Sequence, residues 1–514
     1  PDIAEKLAEP PTKGPEKISL AKLPSTSPDL FGREGELATL DEAWDDAKTR
    51  VVSIVAWGGG GKTALVNKWL LNMGEEDYRG AELVFGWSFY SQGAAEGRQT
   101  SADLFIAAAL GWFGDPDPDA GDPWQKGERL AELVRARRTL LVLDGLEPLQ
   151  HPPGELEGRL KDPALEVLLR ALARHNRGLL VLTTRLDVDD LKDFVGSSVQ
   201  EVCLEHLPAE AGAAYLGHLG VQGTEAELKE AVEDLEGHAL ALTLLGGYLR
   251  TAYHGDVRQR DKIERLTEDR RQGGHARRVM AAYERWFDGK AELDILYMLG
   301  LFDRPAEAGA VQTLRAEPPI PGLTEGLAGL SEADWAFALD ELRRARLLEV
   351  EDPSEGFNPS EGYSDSLDTH PLVREHFGER IRKEHPDAWC EAHSRLYEYY
   401  QGQAPDRPDT LEEMTPLFAA VAHGCQAGRY QEALEEVYWG RVLRGSEHFS
   451  WKKLGAFGAN LTALSAFFDP PWRKPVDGLT KATQAFVLHQ AGLYLRALGR
   501  LAEAAQPMQA GLEA

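Results

Sequence analysis

At 514 residues, with 43% hydrophobic and 27% charged side chains, the chain has the make-up of a soluble globular protein of about three or four domains. A net charge of −28 argues against a general nucleic-acid-binding surface, and no apolar run reaches the roughly 18 residues of a membrane-spanning helix. Three cysteines (Cys203, Cys390 and Cys425) form neither a disulfide framework nor a metal-ligand spacing and fit a cytoplasmic protein.

Residues 1–28 are rich in Pro, Lys, Glu and Ser without a sustained period and read as a linker from an upstream domain. Structure is expected from Leu30-Phe31-Gly32-Arg33-Glu34, with Leu37, Leu40 and Trp44 at helical spacing behind it. A β-branched run over 51–55 then feeds Ala56-Trp57-Gly58-Gly59-Gly60-Gly61-Lys62-Thr63-Ala64, and a helical pattern follows. Glycines carry no Cβ, so four in a row let the backbone wrap closely round an anion. Their bare N–H groups and the helix N-terminus face the same point. The stretch therefore predicts a phosphate cradle, with Lys62 reaching the β- and γ-phosphates and the Thr63 hydroxyl on Mg²⁺. Ala56 stands where the strict pattern has its first glycine.

Further strands are expected at 83–89, 139–144, 178–185 and 200–204, with helices at about 101–112, 125–137 and 163–175 and a small polar loop at 90–98. This alternation predicts an α/β P-loop NTPase domain with a parallel sheet over 29–207. The run 139–144 is apolar almost throughout, as in a strand buried on both faces, and ends in Asp144. Ligands bind at such strand ends in open α/β sheets, so Asp144 is the candidate to hold Mg²⁺ together with Thr63. Glu147 is the candidate to orient or deprotonate an attacking water. Thr183, Thr184 and Arg185 end the next strand and offer hydroxyls and a fork-shaped cation to a γ-phosphate.

Strand signals nearly vanish after this point. Residues 208–272 read as a helical domain, and the run 258–278 as a mixed-charge helix face. Residues 273–385 read as a winged-helix domain, with 347–350 and 363–367 as a two-stranded wing. Residues 386–514 are helical throughout. There Gly428-Arg429-Tyr430-Gln431-Glu432-Ala433 recurs as Gly499-Arg500-Leu501-Ala502-Glu503-Ala504 at an offset of 71. That is near twice the ~34-residue period of tetratricopeptide repeats. Unrelated helical hairpins are the alternative.

Over about 29–380 the chain resembles the signal-transduction ATPases with numerous domains (STAND), closest to the NB-ARC branch of plant disease-resistance proteins and apoptotic protease-activating factors. Asp144-Gly145-Leu146-Glu147, where that branch often has paired aspartates, looks more like the NACHT relatives. The resemblance implies that Phe31, Gly32 and Arg33 frame an adenine, and that Ala239 stands where the family has a proline near the base. It further implies that His370 matches the histidine of the Met-His-Asp motif, which contacts the β-phosphate of ADP. With it comes an expected function: a slow ATPase using ATP/ADP and Mg²⁺ as a switch. Such a switch senses a ligand, expected to be a protein, through the C-terminal repeats. It then assembles with copies of itself and activates an upstream effector, TIR being the leading candidate, in bacterial antiphage immunity. Two other readings compete. One is a transcriptional regulator of the same class, with 341–350 as recognition helix. The other is a non-hydrolysing repeat scaffold, which Ala56 and Ala239 would support.

Overall fold

The computed structural model describes residues 14–90, 100–262, 274–349 and 366–513. Six parallel strands, β1 (Lys17–Ser19), β2 (Val51–Val55), β3 (Leu83–Ser88), β4 (Thr139–Asp144), β5 (Leu179–Thr184) and β6 (Val199–Cys203), lie in the order β1-β3-β4-β5-β2-β6. Every residue of β3, β4 and β5 is buried, because helices cover both faces of the sheet. Successive side chains of a strand point to opposite faces, which divides the apolar residues into two cores. Leu140 and Val142 pack with α1 (Glu34–Asp45) and α2 (Lys62–Glu75). Leu141 and Leu143 pack with α3 (Asp103–Phe113), α4 (Pro123–Arg135) and α5 (Pro163–Arg174). Because β5 runs between β2 and β4, the glycine loop leaving β2 and Asp144 ending β4 flank Arg185, the residue that leaves β5.

The segment read as a linker is structured from residue 14. β1 pairs with β3 through Lys17–Leu83, Ile18–Val84 and Ser19–Phe85. Leu20 and Leu23 pack on the core over Gly86, where a Cβ would lie 2.7 Å from Leu23. Asn67 then ties the segment down by donating to the carbonyl oxygen of Pro24 at 2.7 Å. Three strand residues (Lys-Ile-Ser) are too few to show a period, so the sheet's edge supplies what the local sequence does not announce.

Helices α6 (Ala209–His218), α7 (Glu225–Glu233) and α8 (Ala239–Tyr253) follow the sheet. After them come α9 (Gly274–Trp286), α10 (Ala291–Leu299), α11 (Ala308–Arg315), α12 (Glu332–Arg344) and α13 (Pro371–Glu384). The central part of the mixed-charge run, 263–273, and most of the expected wing, 350–365, lie outside the described residues, as does most of the loop 90–98. The ends of the wing meet, with the Glu349 N–H donating to the Asp368 carbonyl at 3.0 Å. In the candidate recognition helix, Leu342, Leu347 and Leu348 are core residues.

The C-terminal region comprises α14 (Pro386–Gln403), α15 (Leu411–Gln426), α16 (Tyr430–Glu432), α17 (Phe449–Lys452), α18 (Phe457–Ser465), α19 (Lys481–Ala497) and α20 (Leu501–Glu513). The short α16 continues as a π-helix over Ala433–Val442. The two echoing segments make the same turn. Gly428 and Gly499 take φ of +76° and +74°, and each following arginine pairs with the glutamate three residues on, Arg429 with Glu432 and Arg500 with Glu503. This region folds back on the nucleotide domain. Asp103 of α3 accepts the Ala459 N–H at 2.8 Å, capping α18 from another domain, while Lys126 of α4 donates to the Leu454 carbonyl at 2.6 Å.

Candidate nucleotide-binding site

The loop after β2 turns through Gly59 and Gly61, at φ of +74° and +91°, so that α2 starts at Lys62. Positive φ at both positions requires glycine or a strained substitute. The Lys62 ammonium folds back to donate to the carbonyls of Ala56 at 2.8 Å and Trp57 at 3.3 Å. Ala56 thus supplies a backbone acceptor, and its methyl group is buried. Glu147 places one carboxylate oxygen 3.4 Å from Lys62 and 3.7 Å from Arg185, while its Oε2 has no hydrogen-bond partner among the described residues. Burial holds the Lys62 pKa below its ordinary value, and the Glu147 carboxylate works against that shift. The Arg185 guanidinium packs on Gly58, where a Cβ would lie 2.9 Å from its Cζ.

Asp144 is buried and accepts three hydroxyls: Thr183 at 2.8 Å, Thr63 at 2.9 Å and Ser88 at 3.0 Å. Burial raises its pKa against those hydrogen bonds. Thr63 and Asp144 are the hard oxygen donors that Mg²⁺ takes alongside phosphate and water, and a buried carboxylate tied down only by neutral hydroxyls suits a cation. The residues present therefore fit this metal, which when bound would counter phosphate charge; Thr63 and Asp144 would hold it. The two threonines of β5 divide as strand alternation demands. Thr183 faces Asp144, whereas the Thr184 hydroxyl is turned away to Gln150 and the Leu186 carbonyl.

The starts of two helices from outside the sheet lie near this site, and that of α8 touches the loop. His238 caps α8, its Nδ1 accepting the Ala241 N–H at 3.2 Å, and its Nε2 lies 2.9 Å from the Gly58 carbonyl. The Leu240 N–H donates to the Gly59 carbonyl at 3.0 Å. Ala239 sits between them, its Cβ 4.0 Å from where a Gly61 Cβ would be. His370 caps α13 in the same manner, its Nδ1 accepting the Leu372 N–H at 3.2 Å. It lies close enough to Arg185, Arg374 and Lys62 for their charges to act on it. Burial, aided by the Arg185, Arg374 and Lys62 cations, depresses its pKa to about 3, and burial depresses that of His238 to about 4. Both rings are therefore neutral, and a neutral ring with an accepting Nδ1 carries its proton on Nε2.

Phe31, Gly32 and Arg33 stand at the junction of the sheet and the first helices beyond it. Phe31 packs on Tyr215 and His218 of α6, each at 5.3 Å between ring centroids. Gly32, at φ +61°, would place a Cβ 2.6 Å from Ala211. Arg33 is buried and donates to the Glu205 carbonyl and to Glu36. The structure thus brings Gly58 to Ala64, Asp144, Glu147, Arg185 and Ala239 to one loop, places His370 within electrostatic range of Lys62 and Arg185, and sets Phe31 to Arg33 at the α6 junction. His238 and Ser88 were not picked out from sequence. A histidine after a turn glycine and before an apolar helix is an N-cap signal in retrospect, but histidine is not among the preferred N-cap residues.

No family model matches the chain, and no curated protein matches it. Among solved structures, the chain shares its fold with a STAND protein with a tetratricopeptide repeat sensor from Pyrococcus horikoshii, at 16% identity and a TM-score of 0.54. The match covers 96% of this chain and 66% of that protein, so this chain spans slightly less than two thirds of its length. A Walker-type ATPase of Pyrococcus abyssi (16% identity, 68% of this chain and 96% of that one, TM-score 0.33) is a more distant match. So is the Orc1 protein of Aeropyrum pernix (19%, 69% and 94%, TM-score 0.30), and neither carries weight at those scores. No helix among the described residues is long and apolar enough to cross a membrane.

Proposed function

We propose that the chain is an ATP/ADP-dependent signalling switch of the STAND type, in which slow hydrolysis of ATP to ADP and phosphate resets the shape. One observation carries the reading: α2 starts at the glycine loop, the start of α8 is hydrogen-bonded to it, and His370 at the start of α13 lies within electrostatic range of Lys62 and Arg185. Each helix N-terminus favours an anion, and a phosphate chain at the loop would be shared among the three. The neutral His370 ring would donate its Nε2–H to the β-phosphate of ADP, and Lys62 would draw away from the Ala56 carbonyl to the same group. A γ-phosphate adds charge beside Glu147, whose carboxylate already lies between Lys62 and Arg185. ATP and ADP would therefore favour different seatings of α13, and a few kcal/mol of differential binding shifts such an equilibrium. The likeness in fold to a STAND protein supports this reading. Self-assembly in the ATP state, and sensing by the C-terminal repeats, belong to the same proposal.

The test is nucleotide content and particle mass. Wild-type protein is expected to retain ADP on purification and to grow in mass with ATP and Mg²⁺. Lys62→Ala should do neither. A Lys62→Ala protein that binds ATP and assembles like wild type overturns the reading.

A further inference from the structure

The glycine loop has no side chains of its own with which to fix its shape. Gly58, Gly59, Gly60 and Gly61 each have wide conformational freedom, and an anion cradle needs their N–H groups preset. Two successive peptide units of the loop are held from outside, both by the start of α8. The Gly58 carbonyl meets His238 Nε2 at 2.9 Å, and the Gly59 carbonyl accepts the Leu240 N–H at 3.0 Å. The approach is close: a Cβ on Gly59 would lie 2.8 Å from His238 Cε1 and 2.8 Å from Leu240 Cβ. His238 Nδ1 is occupied as the acceptor of the Ala241 N–H, so its Nε2 is the donor to Gly58. In a trans peptide the C=O and the next N–H point in opposite directions. Tying the Gly58 carbonyl to α8 therefore turns the Gly59 N–H away from α8. On the other side of Gly58 packs the Arg185 guanidinium, so this one peptide is gripped between the sheet and the helical region.

We propose that His238 is a positioning residue that sets the Gly58–Gly59 peptide plane and so makes phosphate binding by the loop depend on the seating of α8. The inference rests on the nucleotide-binding reading above and adds to it a specific mechanical link. The imidazole performs two separable tasks, one at each nitrogen. Nδ1 caps the helix, and Nε2 holds the loop. A merely structural histidine would perform the first alone.

Two variants divide the tasks. In His238→Asn the side-chain oxygen can still cap α8, asparagine being a preferred N-cap, but the side chain is too short to reach Gly58. In His238→Gln the amide nitrogen stands near the position of Nε2 and can donate to Gly58, while capping is weakened. The full chain is titrated with a fluorescent ADP analogue, and thermal unfolding without nucleotide is followed in parallel. The expected result is that His238→Asn melts near wild type but binds roughly tenfold more weakly, as loss of one positioning hydrogen bond implies. His238→Gln should bind within about threefold of wild type even where it melts lower. Wild-type binding by His238→Asn, or losses of affinity in both variants that simply track their loss of stability, would overturn the inference and leave the nucleotide reading standing. If wild type and Lys62→Ala alike fail to bind, both fall together.

Discussion

At the scale of single residues, the site is a set of buried charges and dipoles whose protonation states are set by desolvation. Asp144 is the sharpest case. Asp144→Asn preserves the size of the side chain and some of its contacts with Thr63, Ser88 and Thr183 but removes the charge that Mg²⁺ requires. It should lower Mg²⁺-dependent ATP turnover by roughly a hundredfold or more, while ADP binding in the presence of a chelator changes by no more than about threefold. Phosphate release and chelator-buffered titrations read the two effects separately. The histidines give a prediction with a definite sign. His238 and His370 are neutral in the folded chain, with pKa values pushed down to about 4 and about 3 from the ordinary 6.5. Between pH 6.5 and about 4 the unfolded chain binds protons that the folded chain refuses, so stability falls as pH falls through that window. Each histidine should contribute a loss of about 1 kcal/mol by pH 5.5. Chemical denaturation of wild type, His238→Asn and His370→Gln at pH 7.5 and 5.5 measures it. Each variant should lose about 1 kcal/mol less than wild type over that interval, and equal losses would count against rings held neutral in the folded chain.

At the scale of elements, the glycines show where backbone geometry decides. Gly59→Ala must place a methyl group at φ +74° against His238 and Leu240, so it strains the loop and pushes α8 away together. It should abolish measurable ADP binding. Gly499→Ala, at φ +74° and at ordinary contact distance, 3.6 Å, from the Trp124 ring, meets strain without a clash and should cost about 1 kcal/mol of stability without touching nucleotide affinity. Much at this scale was legible in the sequence. The apolar strands, the glycine loop and the carboxylate ending β4 each rest on a strong local pattern, and the helices after 208 show clear periods. What was not legible depended on partners far along the chain. β1 is three residues long and exists because β3 offers an edge. Thr183 and Thr184 are indistinguishable by composition; which of them faces Asp144 depends on the pleat phase of β5 within the sheet. The π-helical stretch Ala433–Val442 carries no period that separates it from an α-helix, and it is held by tertiary contacts such as the Tyr438 hydroxyl on Asn460 and Tyr494.

At the scale of the whole molecule, the question is what keeps the repeat region against the nucleotide domain. The contact is built from a carboxylate and an ammonium, both buried. Asp103 accepts the N–H of Ala459 at the start of α18, and Lys126 donates to the Leu454 carbonyl just before it. Burial raises the pKa of Asp103 and lowers that of Lys126, and each charge works against the shift of the other. Gly455 and Gly458 make the fit, since a Cβ on either would come within 2.7 Å of nucleotide-domain atoms. Removing one charge leaves the other buried with less neutralisation and takes away one hydrogen bond to the α18 region, which weakens the docked contact. Asp103→Ala should therefore release the repeat region, seen as a larger radius of gyration in small-angle scattering and as faster amide exchange over 454–459. If attraction between the two charges were what holds the domains, replacing both should be at least as damaging. Desolvation argues the opposite: Asp103→Leu with Lys126→Met removes both buried charges and puts apolar side chains near the cluster of Leu104, Met414 and Leu454. The double variant should stay compact where the single one opens. A double variant that opens as far as Asp103→Ala would place the holding energy in the two hydrogen bonds to the backbone around α18 instead.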